Sequence, residues 1–329
     1  MPTHREREIA LEAVTEAAAL CQAVRTEMVD VGALEKGDRS PVTAADFGAQ
    51  ALVCRRLKAA FPQDPIVGEE DAAVLRTPEN EEKLSRVVEY VRRFQPQATP
   101  DTVCGWIDAG NGSVAHRFWT LDPVDGTKGF LRDDQYAIAL ALIEGGQVQL
   151  GALACPALPL SLDEPGSPVG TLFVAVRGEG AEMTHMAGAA DFAPIRVAQA
   201  GDEARWRFVE SVEASHGNPA LQEAVAQAVG VTRPPLKLDS QTKYGAVARG
   251  DAVLYLRLPS PKSPGYHEKI WDHAAGALLV EEAGGRVTDM TGRSLDLASG
   301  HRMTENRGVV VSNGALHPEV IAALKAHAL

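Results

Sequence analysis

The sequence predicts a mixed α/β fold in two domains, and three observations lead to this prediction. The chain has 329 residues, which is long for one compact domain. Helical patterns and then hairpin patterns fill the first part of the chain. From about residue 200 strands alternate with helices, which is typical of an α/β unit. We therefore place the domains at residues 1–199 and 200–329.

The first part predicts two helices followed by a largely antiparallel sheet. Residues 5–30 carry apolar side chains at helical spacing, and a second helix follows with Thr43 as its N-cap. The segment "DPIVGEED" predicts a short strand that ends in carboxylates, residues 78–95 predict a solvated helix, and "PQATPD" predicts a linker. Hairpins are expected within "YAIALALIEGGQVQLGALACPAL" and between "GTLFVAV" and "GAEMTHM".

The second part predicts strands that alternate with helices. Strands are expected at "RWRFVES", "VLYLRL" and "GVVVSN". Helices are expected at "NPALQEAVAQAVG", "DHAAGALLVEEAGG" and "HPEVIAALKAHA", the first two ending in glycine. A proline-rich loop spans residues 258–269. No internal repeat interrupts this pattern.

Composition and charge exclude several classes of function. The formal charge is −12, from 32 basic and 44 acidic residues, so a nucleic acid polymer is not the expected partner. The four cysteines are scattered, which predicts reduced thiols in the cytoplasm. No apolar run approaches the ~20 residues that span a bilayer, and no signal peptide is visible. We expect a cytoplasmic monomer or homodimer without a membrane partner.

Carboxylates recur where predicted strands end or helices begin. Glu69 and Glu70 end one strand, Asp122 and Asp125 flank a turn at the end of another, and Asp272 begins a helix. Convergent carboxylates repel each other unless a cation neutralises them, and Mg²⁺ prefers such oxygen ligands. Asp-Pro and Asp-Gly turns also occur for purely local reasons.

The turn "DPVDGT" contains further groups suited to a metal and a phosphate. Pro123 fixes the turn and can direct the carbonyl of Val124 toward the same cation. Gly126 allows close approach of a ligand, and the amides of Gly126 and Thr127 can face an oxyanion. Two metal ions could clamp a phosphate there and activate a water for in-line attack.

Three motifs together resemble a known superfamily. "VGEED", "LDPVDGTKGF" and "WDHAAGALLVEEAGG" resemble the signatures of the inositol monophosphatase superfamily. The resemblance implies a layered αβαβα sandwich of the inositol monophosphatase and fructose-1,6-bisphosphatase type, and a Mg²⁺-dependent, lithium-sensitive phosphomonoesterase. "KGFLR" and "DSQTKYGAVARGDAVLYLRLP" are similar to one branch, the 3′(2′),5′-bisphosphate nucleotidases. The likeness runs from about residue 38 to 315 and is weakest across residues 72–118.

The resemblance also implies roles for individual residues. Asp46 and Thr127 would orient and deprotonate the attacking water. Two or three Mg²⁺ ions would be held by the following groups: Glu69, Asp122, Asp125, Asp272 and the carbonyl of Val124. The substrate would contact Gly126, Thr127, His216, Ser240, Lys243, Arg257 and Asp272.

The substrate-binding set has simpler readings as well. His216 would lie beside the nucleoside, although a lone histidine on such a loop is more often a cap or a surface residue. Ser240 and Lys243 are three apart on an expected helical turn, so both can face one pocket. Lys243 would supply a charge for the phosphate that is not cleaved, and Arg257 could stack on or pair with the nucleotide; otherwise both are ordinary surface charges. The loop "SPKSPGY" leaves the direction of Arg257 open.

The predicted reaction removes the 3′-phosphate of adenosine 3′,5′-bisphosphate and gives AMP and phosphate. The 3′-phosphoadenylyl sulfate donor is a second expected substrate. One alternative is an inositol-phosphate or sugar-phosphate phosphatase, which would not need a nucleoside pocket. The other alternative is a non-catalytic sensor of nucleotide and metal, against which the complete set of carboxylates argues.

Overall fold

Two β-sheets organise the chain in the computed structural model. The structure describes residues 4–30, 40–188, 191–199, 201–202, 205–212, 217–263 and 265–327, with backbone alone for 29–30 and 40–43. Among these residues, one sheet has seven strands, which lie side by side in the order of the chain, and the other has five. No helix of these described ranges is long and apolar enough to cross a membrane.

The first part of the chain supplies the seven-stranded sheet. Its helices are α1 (His4–Asp30), α2 (Ser40–Ala60), α3 (Glu81–Arg92), α4 (Pro100–Asp108) and α5 (Thr127–Leu131). Its strands are β1 (Ile66–Gly68), β2 (Arg117–Asp125), β3 (Ala137–Glu144), β4 (Gln147–Pro159), β5 (Val169–Val176), β6 (Gly180–His185) and β7 (Ala193–Pro194). Only β1 and β2 pair in parallel, so the largely antiparallel sheet that we predicted is present among the described residues.

The second part supplies the five-stranded sheet. Its strands are β8 (Arg207–Glu210), β9 (Arg233–Lys237), β10 (Leu254–Arg257), β11 (Arg286–Thr288) and β12 (Val309–Ser312). Its helices are α6 (Pro219–Ala228), α7 (Thr242–Ala248), α8 (Ala274–Glu282) and α9 (His317–His327). The strand β8 pairs in parallel with β9 and β10, whereas β12 runs antiparallel to β10 and β11.

Alternating burial along the strands produces five layers. Leu140 and Leu142 of β3 pack with α1 and α2, whereas Ala139 and Ala141 point to the other face and pack with α7 and α8. The same helices also cover one face of the five-stranded sheet. Its other face packs against α6 and α9. The αβαβα sandwich is therefore confirmed.

The division at residue 199 stays a prediction. The chain passes from the first sheet to the second between β7 and β8. However, α8 comes from the second part and packs mainly on β4 of the first sheet. Gly151 of β4 makes this approach possible, because a Cβ there would lie 2.7 Å from the carbonyl oxygen of Ala275.

Two local predictions were wrong, and one strand was not predicted. Thr43 is not an N-cap, since α2 already begins at Ser40. The predicted linker "PQATPD" ends in the first two residues of α4, where the Thr99 hydroxyl accepts a hydrogen bond from the Thr102 amide in a capping box. Residues 233–237 form β9 despite two prolines, which a strand tolerates at the edge of a sheet.

Candidate active site

The first carboxylates meet because two neighbouring strands end side by side. The strand β1 pairs in parallel with β2, with Gly68 opposite Leu121. The next residues along each strand are Glu69 and Asp122, so their carboxylates leave the same edge of the sheet. The register of β2 against β3 shifts between Asp122 and Asp125, at the position of Pro123. This irregularity bends the strand and brings Asp125 to the same site.

Electrostatic crowding of these carboxylates shows that a cation fits among them. Asp122 is 3 % exposed, and its Oδ1 has no hydrogen-bond partner within the described residues. Burial raises the pKa of Asp122 well above its usual range, and the charges of Glu69 and Asp125 raise it further. Burial and neighbouring carboxylates raise the pKa of both Glu69 and Asp272 to about 7. A divalent ion would relieve this repulsion and occupy the unpaired oxygen.

The helix α2 carries Asp46 to the same cluster. Asp46 is buried, and its pKa is raised first by burial and then by Glu70 and Glu69. Gln50, one turn later, fixes this helix to the end of β1. Its side-chain amide donates to the carbonyl of Glu70 at 2.5 Å and accepts from the Glu70 amide at 3.0 Å. Sequence analysis missed Gln50, whose position one turn after Asp46 was the available signal.

The turn after β2 requires glycine. Gly126 has φ of 87°, in the left-handed region, and a Cβ there would lie 2.9 Å from the Cβ of Ser240. The Thr127 hydroxyl donates to the carbonyl of Val124 at 3.3 Å. Among the described residues the structure gives no hydrogen bond between Thr127 and Asp46, so their pairing stays a prediction.

The segment "DSQTK" docks directly on this turn through Gln241, another residue that sequence analysis missed. The Gln241 amide donates to Oδ2 of Asp125 at 2.6 Å. Its side chain donates to the carbonyl of Trp271 at 2.9 Å and accepts from the amide of Gly276 at 3.0 Å. Gln241 therefore joins the metal turn to the segment that contains Asp272.

Ser240 and Lys243 do not share a helical turn as we predicted, because α7 begins at Thr242. Ser240 precedes the helix with φ of 62°, in the left-handed region. Both residues nevertheless line one cavity of about 320 Å³. The cavity lining includes most of the predicted substrate set: Gly126, Thr127, Ser240, Lys243, Arg257 and Asp272. His216 lies outside the described residues.

Two of the cations that line this cavity, Lys243 and Arg257, are held by specific partners. The ammonium of Lys243 lies 5.3 Å from the ring centroid of Tyr255. Burial lowers the pKa of Lys243 to about 8. The charge of Arg257 lowers it further, whereas the charge of Asp125 raises it. Arg257 donates from Nε to Oε1 of Glu268 at 3.0 Å. Burial raises the pKa of Glu268, but His273 and Arg257 outweigh burial and lower it to about 2.

Two further observations concern the residues that could bind a metal. Glu268, Asp272 and His273 each bring one ligand atom within 4.8 Å of the others, so an acidic cluster that could hold a metal is present. Among the described residues, the carboxylate oxygens of Glu69, Asp122 and Asp125 do not meet this limit of 4.8 Å. Glu69 also lines a second cavity, of about 680 Å³.

Comparison with known proteins places this geometry in one family. The profile described as "Inositol monophosphatase family" matches residues 4–329. A Schizosaccharomyces pombe protein named 3′(2′),5′-bisphosphate nucleotidase is 44% identical, with 98% of this chain and 95% of the relative covered. Proteins of the same name from Oryza sativa and Dictyostelium discoideum are 42% and 38% identical. The alignments cover 98% and 97% of this chain, and 94% and 96% of the relatives.

Solved structures share the fold. The inositol monophosphatase from Anabaena superimposes with a TM-score of 0.60 at 21% identity, covering 97% of this chain and 94% of that chain. Inositol monophosphatase II from Staphylococcus aureus gives a TM-score of 0.62 at 16% identity, covering 99% and 95%. These likenesses concern the fold, whereas the family follows from the sequence match over almost the whole chain. The chain therefore belongs to the inositol monophosphatase family.

Proposed function

We propose that this protein is a Mg²⁺-dependent phosphomonoesterase that converts adenosine 3′,5′-bisphosphate to AMP and phosphate. One observation carries the proposal: a single cavity is lined both by carboxylates and by two buried or half-buried cations. Asp125 and Asp272 are among the carboxylates, and Lys243 and Arg257 are the two cations. Such a cavity matches a ligand with two phosphates, one cleaved at the metal and one bound directly by cations.

The relatives support a nucleotide substrate. Those at 38–44% identity over nearly the whole chain are named 3′(2′),5′-bisphosphate nucleotidases. The net charge of −12 makes local cations necessary for an anionic substrate, because the protein as a whole repels it. Lys243 and Arg257 supply that local charge.

The carboxylates would hold Mg²⁺ and place the scissile phosphate against Asp46. Asp122, with its unpaired Oδ1, is the central ligand in this proposal, together with Glu69, Asp125, Asp272 and the carbonyl of Val124. Bound Mg²⁺ supplies Lewis acidity toward the phosphate oxygens. Asp46 then accepts the proton of the attacking water, and the Thr127 hydroxyl orients that water. The absence of a Cβ at Gly126 allows Ser240 to approach this turn closely.

The substrate's second phosphate would lie between Lys243 and Arg257. The Tyr255 ring contacts Lys243, and Glu268 bonds Arg257. The proposal includes 3′-phosphoadenylyl sulfate as a second substrate, two or three Mg²⁺ ions, inhibition by lithium and a role in sulfur metabolism. A reducing cytoplasmic location belongs to it too and is supported by four buried, free cysteines.

Phosphate release with Mg²⁺ across a small substrate panel tests the proposal. The panel contains adenosine 3′,5′-bisphosphate, 3′-phosphoadenylyl sulfate, inositol 1-phosphate and fructose 1,6-bisphosphate. We expect the highest kcat/KM with the adenosine bisphosphate and no turnover after Mg²⁺ is removed by chelation. Preference for inositol 1-phosphate would refute the nucleotide substrate, and nucleotide binding without phosphate release would favour a sensor.

A further inference from the structure

A closed ring of contacts supports Lys243 and Arg257, the two buried or half-buried cations of the cavity. Arg257 at the end of β10 donates from Nε to Oε1 of Glu268 at 3.0 Å. The other oxygen of Glu268, Oε2, lies 3.4 Å from Nε2 of His273. The opposite ring nitrogen of His273, Nδ1, forms a hydrogen bond of 2.6 Å with the Tyr244 hydroxyl. The chain of contacts thus leads from Arg257 to α7.

The ring closes through two aromatic contacts. Tyr244 meets Tyr255 edge to face, with 5.4 Å between ring centroids. Lys243, the residue before Tyr244, places its ammonium 5.3 Å from the Tyr255 centroid. Tyr255 itself lies two residues before Arg257 on the same strand. Both cations therefore contact one network of side chains.

Glu268 is the carboxylate on which this ring depends. Its side chain is 11 % exposed, and each of its oxygens meets a different partner. A guanidinium is planar, so the bond at Nε sets the plane in which the other donors of Arg257 lie. Arg257 is 23 % exposed and lines the cavity, so this plane decides how the guanidinium meets a phosphate.

We propose that Glu268 is a positioning residue that orients Arg257 toward the phosphate that is not cleaved. Glu268 thereby sets the preference for bisphosphorylated over monophosphorylated nucleotides. The inference rests on the proposed function and deepens it, since it assigns the selectivity between two substrate classes to a lining residue that acts through Arg257. Glu268 is not a metal ligand in this proposal, because its two oxygens already meet Arg257 and His273, and it does not contact the reacting atoms.

The test compares two substrates with the same scissile phosphate. Adenosine 3′,5′-bisphosphate carries the second phosphate, whereas adenosine 3′-monophosphate lacks it. Because hydrogen bonds between charged groups are strong, E268Q is expected to lower kcat/KM for the bisphosphate by about tenfold or more, mainly through KM. The monophosphate should change by less than about threefold, since it makes no contact with Arg257. E268D, which keeps the carboxylate, should recover part of the preference.

A double-mutant cycle separates positioning from general support of the fold. If Glu268 acts through Arg257, E268Q adds no further loss of preference to R257A. The matched control is D251N, which removes the acid from another buried pair, Arg249 and Asp251, outside the cavity. D251N should leave the ratio of the two substrates unchanged.

Binding provides a readout without turnover. The product AMP carries the uncleaved 5′-phosphate, and adenosine does not. By calorimetry without metal, E268Q should weaken AMP binding about tenfold while leaving adenosine unaffected. If E268Q does not fold, as judged by its melting curve, E268D is measured in its place and should show a smaller loss of the same kind.

The outcomes are distinct. An unchanged substrate ratio in E268Q, or an equal loss for both substrates, overturns the inference and leaves the proposed function standing. Failure of the proposed function is visible in the unmodified protein alone, which would then not release phosphate from the bisphosphate.

Discussion

Replacement of Gly276 by alanine is expected to destabilise the protein and impair the active site. Gly276 lies inside α8, where alanine is intrinsically favoured over glycine by about 1 kcal/mol. A Cβ at this position, however, would lie 2.4, 2.7 and 2.7 Å from three atoms of Tyr244. Tyr244 cannot move away, because it is 1 % exposed, packs on Tyr255 and bonds to His273.

The net effect follows from these two contributions. Overpacking of a core typically costs about 1–3 kcal/mol and occasionally more. The three short contacts with a fixed ring place G276A at the upper end, so we expect a net loss of about 2 kcal/mol. For a chain of this size that corresponds to a decrease in Tm of roughly 3 °C. Displacement of Tyr244 also moves Lys243, so kcat/KM should fall on the order of 10–100-fold.

Gly105 provides the matched control. It lies inside α4, is exposed, and a Cβ there would meet nothing within 4 Å. The same chemical change, G105A, should raise stability by about 0.5–1 kcal/mol and leave activity unchanged. Thermal unfolding followed by circular dichroism and phosphate release measure both variants. Wild-type stability and activity in G276A would refute this prediction, because Tyr244 would then have moved away from the added Cβ without loss of folding free energy.

Three further predictions concern charge. D46N should abolish phosphate release without lowering the melting temperature, since Asp46 serves as the base; retained activity would exclude that role. D122N should raise Tm without metal, because it removes charge from a buried carboxylate cluster, and should lose most of the Tm increase that Mg²⁺ gives the wild type. His317, between the hydroxyls of Ser312 and Thr288, has its pKa lowered by burial from 6.5 to about 4. As the pH falls, His317 is protonated in the unfolded chain before it is protonated in the folded chain. The free energy of unfolding should therefore fall by on the order of 1–2 kcal/mol from pH 6.5 to pH 4. H317Q should flatten this dependence in denaturant unfolding.

The fold was largely predictable because its helices and strands follow local hydrophobic periodicity. The hairpin of β3 and β4 turns at Gly145 and Gly146, both with positive φ, as "EGG" predicted. The helix α8 ends at Gly284, which also has positive φ. The strand β9 was missed because its two prolines are unfavourable in a strand in general and are tolerated only at an edge. Edge position is a property of the whole sheet and not of the segment.

The candidate site was predictable only where a carboxylate or a cation stood in a motif. The predicted cavity residues Lys243 and Arg257 lie where one ligand can reach both. Gln50, Gln241 and Glu268 were missed because neutral amides and paired acids show no pattern in a sequence. Their importance comes from partners 11 to 116 residues away, which only the folded chain brings together.

Asp125 links metal binding and substrate binding, which the motifs assign to separate segments. Its position in the turn "DPVDGT" assigns it to the metal, yet its Oδ2 accepts the amide of Gln241, beside the substrate segment. Gln241 in turn holds the carbonyl of Trp271, next to Asp272. A change of substrate pocket at "DSQTK" would therefore shift two carboxylates of the metal site. For this reason, altering substrate preference should be easier through Glu268, which contacts Arg257, than through the segment that contacts Asp125.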